Sequence, residues 1–396
     1  MPQERLSLIL KSAHLKGFKS IENLNIDFNK GLNILIGKNA SGKSNFLECL
    51  FRVIGNSRIS KTTYKFAELE FISSDHKIIK WISEKDIMSP NLEKENLGNR
   101  VRLIEKLFIE NQLVFDNTLV EQEKYIEFNG KQVLKKGNIK IILRRMGFHS
   151  ISPSYIRFNL PKNLDGIDIP GTIKIHLDED EVDIWEELDS LTFINEIFWR
   201  IEMSYGMDLD KFKKLTKTTF LKQLKIDDSI VDNLKKYTPI EDIKFNENIN
   251  IYKDEKSIII ENIKIDFKLN GNWIPWSQLS DGTKRLFYII TEITNKKNGL
   301  ILVEEPELGI HPHQFNLVMD FLKEEADNKQ IIISTHAPQA LNHLDKDELS
   351  NILIAYFDPK RGTQIKHLSK AQMQTAKRYM EEVGFFSDYW MLSGIE

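Results

Sequence analysis

Two hydrophobic periods alternate along the chain. Near the start, Leu24-Asn25-Ile26-Asp27-Phe28 sets apolar residues at every second position, as a half-buried strand does. The run from Ser7 to Leu15 reads as a strand before it. Gly31 closes a turn, and Leu32-Asn33-Ile34-Leu35-Ile36 reads as a buried strand, with a helix expected from about Gly42. Between residues 62 and 150 the chain is rich in short β-type runs: Lys77 to Ile82, Lys124 to Phe128, and Ile139-Lys140-Ile141-Ile142-Leu143. Asn129-Gly130 is a hairpin signal, and the region is expected to be antiparallel.

The period then changes. Ile184, Leu188, Leu191, Ile194, Phe198 and Ile201 recur at steps of three and four, one face of a helix, with Asp183 as its expected N-cap. Pro239 ends that helical stretch. From Ser257 the pattern is β again: Ile258 to Ile260, then Ile263 to Phe267. A helix is expected over 284–296, buried strands over 300–303 and 330–333, a helix over 312–327 and a strand over 351–357. Buried runs alternating with helices imply a parallel sheet. The fold class is therefore α/β, a mixed sheet with an antiparallel β subdomain. Residues 1–175 and 248–396 form one split domain, with a helical insertion over 176–247.

At 396 residues and 41% hydrophobic, the chain has the means to bury a large core. The net charge of −3 gives no global drive toward nucleic acid, so any such surface is a local patch. Lys211, Lys213, Lys214, Lys217, Lys222 and Lys225 form one basic stretch, read as a solvated helix face, with nucleic acid or an acidic partner as the sharper alternative. The lone Cys49 allows no intramolecular disulfide and reads as a core residue. No apolar run approaches membrane-spanning length, and a cytoplasmic location is expected.

The chemistry concentrates in four short segments. Gly37-Lys38-Asn39-Ala40-Ser41-Gly42-Lys43-Ser44 fits G-x-x-x-x-G-K-[ST] between an expected strand and an expected helix. Glycines there let backbone N–H groups turn inward on phosphate oxygens, and a helix N-terminus adds partial positive charge. Lys43 is expected on the β- and γ-phosphates of ATP, Ser44 on Mg²⁺, and Asn45 completes the binding segment. After the apolar strand Leu300 to Val303, Glu304 and Glu305 emerge at the end where open α/β sheets bind ligands. Glu304 is expected in the Mg²⁺ shell and Glu305 as the general base on the attacking water. Ile331-Ile332-Ile333-Ser334-Thr335-His336 repeats this design, with His336 near the γ-phosphate. Ser280, Gly282 and Thr283 sit at an expected helix N-terminus, a second anion site. One cradle serves one ATP, so the second is expected to cap an ATP held by another subunit.

In this order the segments resemble the ABC-type ATPase heads of the SMC, RecF and OLD-like proteins, over about residues 7–60 and 255–345. Leu15-Lys16-Gly17-Phe18-Lys19-Ser20-Ile21 is similar to their opening strand and turn, with Lys19 at a basic position near the nucleotide. Glu304 to Pro312, and Ser280-Asp281-Gly282-Thr283 with Arg285, resemble the OLD-like branch, as does the tail Tyr389 to Gly394. That branch includes ATPases of the Septu, PARIS, AbiL-type and retron-associated defence systems. The resemblance implies a Mg²⁺-dependent ATPase that closes around ATP as a homo-oligomer and regulates an effector protein. Rival readings are a RecF-like ATPase acting on DNA and an ATP-driven assembly scaffold. Three departures stand out. The insertion is too short for coiled-coil arms; Gln112, Gln122 and Gln132 all remain open as the glutamine loop; and no nuclease carboxylate cluster follows His336. Glu304 also stands where relatives usually have Asp.

Overall fold

The structure is a computed structural model that describes residues 7–55, 64–87, 101–119, 125–135, 138–148, 154–157, 172–177, 182–186, 197, 214–253, 257–295 and 299–395. The chain divides into two units. The first comprises Met1–Arg157, Lys297–Pro306 and Leu322–Glu396; the second comprises Phe158–Lys296 and Glu307–Phe321.

In the first unit, β1 (Leu8–Phe18), β2 (Ile21–Asp27) and β3 (Leu32–Ile36) lead into helix α1 (Lys43–Gly55). Strands β4 (Phe66–Ser73), β5 (Ile78–Ile87), β6 (Val101–Ile109) and β7 (Gln112–Asp116) follow, then the hairpin β8 (Tyr125–Phe128) and β9 (Lys131–Leu134). Asn129 and Gly130 both take positive φ in its turn, as a two-residue hairpin with right-handed strand twist requires. Helix α2 (Ile139–Arg145) and β10 (Ser154–Arg157) come next.

The second unit holds β11 (Thr172–Leu177), β12 (Val182–Glu186), β13 (Asp242–Phe245), β14 (Asn250–Lys253), β15 (Ser257–Glu261), β16 (Ile265–Leu269) and β17 (Asn272–Pro275). Its helices include Lys217–Leu221, Asp228–Tyr237 and Asp281–Asn295. The first unit resumes with β18 (Leu300–Glu304), β19 (Gln330–Thr335), β20 (Ile352–Asp358) and β21 (Gly362–His367), and with the helices Lys370–Glu382 and Phe386–Ser393.

A twelve-stranded sheet organises the first unit, in the order β10-β18-β19-β3-β20-β21-β2-β1-β4-β5-β6-β7. The five strands from β10 to β20 run parallel, and every pairing from β20 to β7 is antiparallel. This is the mixed α/β sheet with an antiparallel part that the patterning predicts. The parallel half carries its buried face as continuous apolar runs: all five residues of β3 and all six of β19 are buried. Helix α1 packs its apolar stripe (Phe46, Leu47, Leu50, Val53, Ile54) into the same core as Leu300, Leu302, Ile332 and Leu353 of these strands. Cys49 is buried there, and burial pushes its thiol pKa up, so it is a packing residue.

Two local expectations are corrected. Residues 139–143 form helix α2, not a strand. The Asn138 side chain accepts from the Ile141 backbone N–H at 3.1 Å and caps the helix, and Ile139, Ile142 and Leu143 bury one helical face. The helix expected from Asp183 does not begin there: Asp183 and Ile184 lie in β12, which pairs antiparallel with β11. Val182-Asp183-Ile184-Trp185-Glu186 alternates apolar and polar, and that period of two prevails over the longer-range steps of three and four. Leu188, Leu191, Ile194, Phe198 and Ile201 lie outside the described residues, as do Lys211, Lys213 and Gln122. Within 176–247 the described residues hold strands as well as the helices Lys217–Leu221 and Asp228–Tyr237, the latter ending before Pro239. Lys214, Lys217, Lys222 and Lys225 are exposed.

Candidate functional site

Three neighbouring parallel strands, β18, β19 and β3, end in the candidate residues. The β3 strand delivers Gly37, β18 delivers Glu304 and Glu305, and β19 delivers Ser334, Thr335 and His336. All share the carboxyl edge of the sheet, and α1 starts there with Lys43 and Ser44.

The loop from Gly37 to Gly42 is shaped by backbone demands that few residues meet. A Cβ on Gly37 would lie 2.1 Å from the Ala355 carbonyl oxygen, and one on Gly42 would lie 1.9 Å from Thr363 Oγ1. Gly42 has φ +95°, and Ala40 holds φ +62°, a left-handed conformation that L-residues adopt at a cost. Lys43 is buried at 4% exposure and turns its ammonium back over the loop, donating to the Gly37 carbonyl at 2.7 Å and the Lys38 carbonyl at 3.1 Å.

A third contact joins the strands. Lys43 Nζ lies 3.2 Å from His336 Nδ1, and His336 Nε2 lies 3.1 Å from Glu305 Oε1. An ammonium has only donors, so Nδ1 accepts and Nε2 carries the proton it donates to Glu305. Lys43, His336 and Glu305 thus form one hydrogen-bonded chain across the carboxyl edge. Glu305 takes φ +47° while its N–H donates to the Ser334 carbonyl at 2.8 Å. A non-glycine residue in that region costs about 1–3 kcal/mol and persists only where surrounding contacts fix it.

Glu304 is buried, and its Oε2 accepts from the Tyr155 hydroxyl at 2.6 Å. The Asn45 amide donates to Ser20 Oγ at 2.7 Å, and Ser20 pairs with Thr363 Oγ1 at 2.7 Å. Lys19 holds φ +48° and binds Glu48 of α1 at 2.5 Å, with Arg52 on the other carboxylate oxygen. Burial opposes ionisation of Glu48, yet the Lys19 and Arg52 hydrogen bonds outweigh it and hold the carboxyl below its usual range. Tyr155, Ser20, Thr363 and Glu48 escaped the sequence reading. Ser20 had a signal, as part of the run Leu15 to Ile21; Tyr155 had none, because its role arises from the pairing of β10 with β18.

The donor set fits a triphosphate with a hard cation. Ser41 Oγ and Ser334 Oγ are buried with no hydrogen-bond partner, and both belong to the segments that meet at this edge. The loop tolerates no Cβ at two positions, and its lysine is satisfied by its own carbonyls. Ser44 and Glu304 carry oxygens of the kind a Mg²⁺ ion takes as ligands.

Ser280 and Gly282 lie in the second unit. Ser280 Oγ accepts from the Thr283 N–H at 3.2 Å and so caps the helix Asp281–Asn295. A Cβ on Gly282 would come 3.1 Å from the Gly309 carbonyl, and Arg285 donates to the Leu308 carbonyl at 2.6 Å. The segment is thus fixed against residues that follow Glu307. Trp276 is buried against Phe267 and Phe287, whereas Trp273 is 40% exposed under Lys244.

Residues 32–342 match the family described as "AAA domain, putative AbiEii toxin, Type IV TA system". The chain belongs to this family. It is an AAA-family ATPase with a P-loop-type nucleotide site. A protein of Helicobacter pylori (strain ATCC 700392 / 26695) named "ATP/GTP phosphatase" is 23% identical over 350 residues, which cover 85% of this chain and 88% of that protein. The "DNA replication and repair protein RecF" of Limosilactobacillus reuteri is 34% identical over 87 residues, covering 22% of this chain and 20% of RecF. RecF of Clostridium acetobutylicum is 31% identical over 97 residues, 24% of this chain and 23% of that protein. Among solved structures, an SMC head bound to the C-winged helix domain of ScpA covers 92% of this chain and 99% of its own, at 16% identity and a TM-score of 0.48. The SMC head domain from Thermotoga maritima gives 15% and 0.44. At such scores the likeness is one of loose arrangement and says nothing of function.

Proposed function

We propose that this AAA-family chain hydrolyses ATP with Mg²⁺, and that closure around ATP controls a partner effector in a toxin–antitoxin or anti-phage system. The observation that carries the chemistry is the hydrogen-bonded chain from Lys43 through His336 to Glu305. It brings Lys43, read as the phosphate-binding cation, His336, read as the γ-phosphate sensor, and Glu305, read as the general base, within two hydrogen bonds of one another.

Bound Mg²⁺ would neutralise charge on the β- and γ-phosphates, and Ser44 and Glu304 would hold it. Lys43 leaves the Gly37 and Lys38 carbonyls for phosphate oxygens, and this releases His336 Nδ1. His336 then orients the reacting group from Nε2, and Glu305 accepts the proton of the attacking water, whose oxygen bonds to the γ-phosphorus as the bond to the β–γ bridging oxygen breaks and ADP leaves. In this reading a second copy supplies Ser280 and Gly282, whose helix N-terminus suits the γ-phosphate. The regulatory role rests on the resemblance of Glu304 to Pro312 to the OLD-like branch, and the setting on the family's description, which names a putative toxin of a type IV toxin–antitoxin system. The segments shared with RecF favour one second reading, action on DNA itself. Stimulation of hydrolysis by DNA separates the two.

Binding of a fluorescent ATP analogue to Lys43→Ala tests the site. Loss of a charge-assisted contact worth about 3 kcal/mol weakens affinity about 100-fold. Wild-type affinity in a folded Lys43→Ala protein would overturn the assignment.

A further inference from the structure

Among the described residues, the Tyr155 hydroxyl contacts the candidate metal-binding carboxylate Glu304 from outside the motif segments. Strand β10 runs parallel to β18, with Tyr155 opposite Leu302 and therefore on the face that also carries Leu300 and Glu304. The phenol reaches diagonally to Glu304 Oε2 at 2.6 Å. Its ring meets Phe51 of α1, with centroids 5.2 Å apart and planes tilted by 39°. Helix α1 is the element that begins with Lys43 and Ser44.

We propose that Tyr155 is a positioning residue for the metal-binding carboxylate of this site. The inference rests on the reading of Ser44 and Glu304 as the Mg²⁺ side of an ATP site. Glutamate has one more rotatable bond than aspartate, so its carboxylate needs an external hold to stay in one orientation. A carboxylate offers about four lone-pair positions, and one short hydrogen bond fixes its plane while leaving others for a hydrated cation. Through Phe51, the same ring is packed on the helix that carries Ser44. Tyr155 therefore ties the two oxygen ligands together: it bonds one and is packed against the element that bears the other. Outer-shell hydrogen bonds to metal-ligating carboxylates commonly change metal affinity by about 10–100-fold when lost.

Tyr155→Phe keeps the ring and its packing on Phe51 and deletes only the donor. The experiment titrates Mg²⁺ and follows binding of a fluorescent ATP analogue, with Mn²⁺ binding by electron paramagnetic resonance as a second readout. Tyr155→Phe should raise the cation concentration for half-maximal effect about tenfold. Binding of the analogue in EDTA should stay at the wild-type level, which a general structural defect would not leave intact. In a Glu304→Gln background, Tyr155→Phe should add no further shift, because the contact it deletes is already altered. A wild-type cation dependence in Tyr155→Phe, beside a shifted one in Glu304→Gln, overturns the tyrosine proposal alone. An unshifted Glu304→Gln overturns the metal assignment, and the tyrosine proposal falls with it.

Discussion

Gly42 shows how a single hydrogen atom in place of a side chain decides the site. Its φ of +95° is open to glycine, and the space a Cβ would need is filled by Thr363, whose hydroxyl is held by Ser20. Thr363 is buried, so it has no room to retreat. Gly42→Ala should therefore destabilise the protein by about 2 kcal/mol and abolish nucleotide binding, because the loop that turns its N–H groups inward is displaced. Gly55 at the far end of the same helix is the control: the nearest atoms a Cβ there would meet are those of the Phe51 ring, at an ordinary 3.7 Å. Chemical denaturation and analogue binding on both variants check this. Equal behaviour of the two would mean that the Gly42 conformation is not needed. The loop's glycines and lysine are legible in the sequence because each physical demand maps to one residue type. The Lys43–His336 contact is not legible, since it spans residues 293 apart and depends on β3 and β19 being neighbours.

Helix α2 shows where local pattern misleads. Five residues with three isoleucines suit strand and helix equally, and length alone separates them poorly. Asn138 decides for the helix by capping it, and Lys140 then reaches from α2 to the last residue of α1. Lys140 Nζ donates to the Gly55 carbonyl at 2.5 Å, a cation at the negative end of the P-loop helix. Burial pushes the Lys140 pKa down from 10.5 to about 8, against the opposing pull of Glu105. A depressed folded-state pKa adds stability above the unfolded value that is lost as pH falls through the folded value. Relative to Lys140→Met, the wild type should thus gain unfolding free energy as pH rises from 8 toward 10.5, and show a flat difference below pH 7. Urea denaturation of both proteins at pH 7 and 9.5 measures the change. A difference that is constant across both values would show that Lys140 titrates normally. The β12 strand teaches the same lesson: a five-residue alternation is read correctly only once its partner β11 is known.

On the scale of the whole molecule, the sequence order of the motifs conceals their partition. The P-loop, Glu304, Glu305 and His336 belong to one unit, whereas Ser280, Gly282 and the segment from Glu307 belong to the other. The break falls directly after Pro306, so the strained Glu305 is the last candidate residue before the chain enters the second unit.

The most direct test of the account is hydrolysis by Glu305→Gln measured in a single turnover, with bound nucleotide quantified in the same samples. The amide keeps the size of the side chain and can still meet His336 Nε2, but it cannot take the proton of water. A general base at Glu305 requires the variant to bind ATP at the wild-type level and to turn it over about 100-fold or more slowly. Turnover within a few-fold of wild type, at equal occupancy, would contradict it.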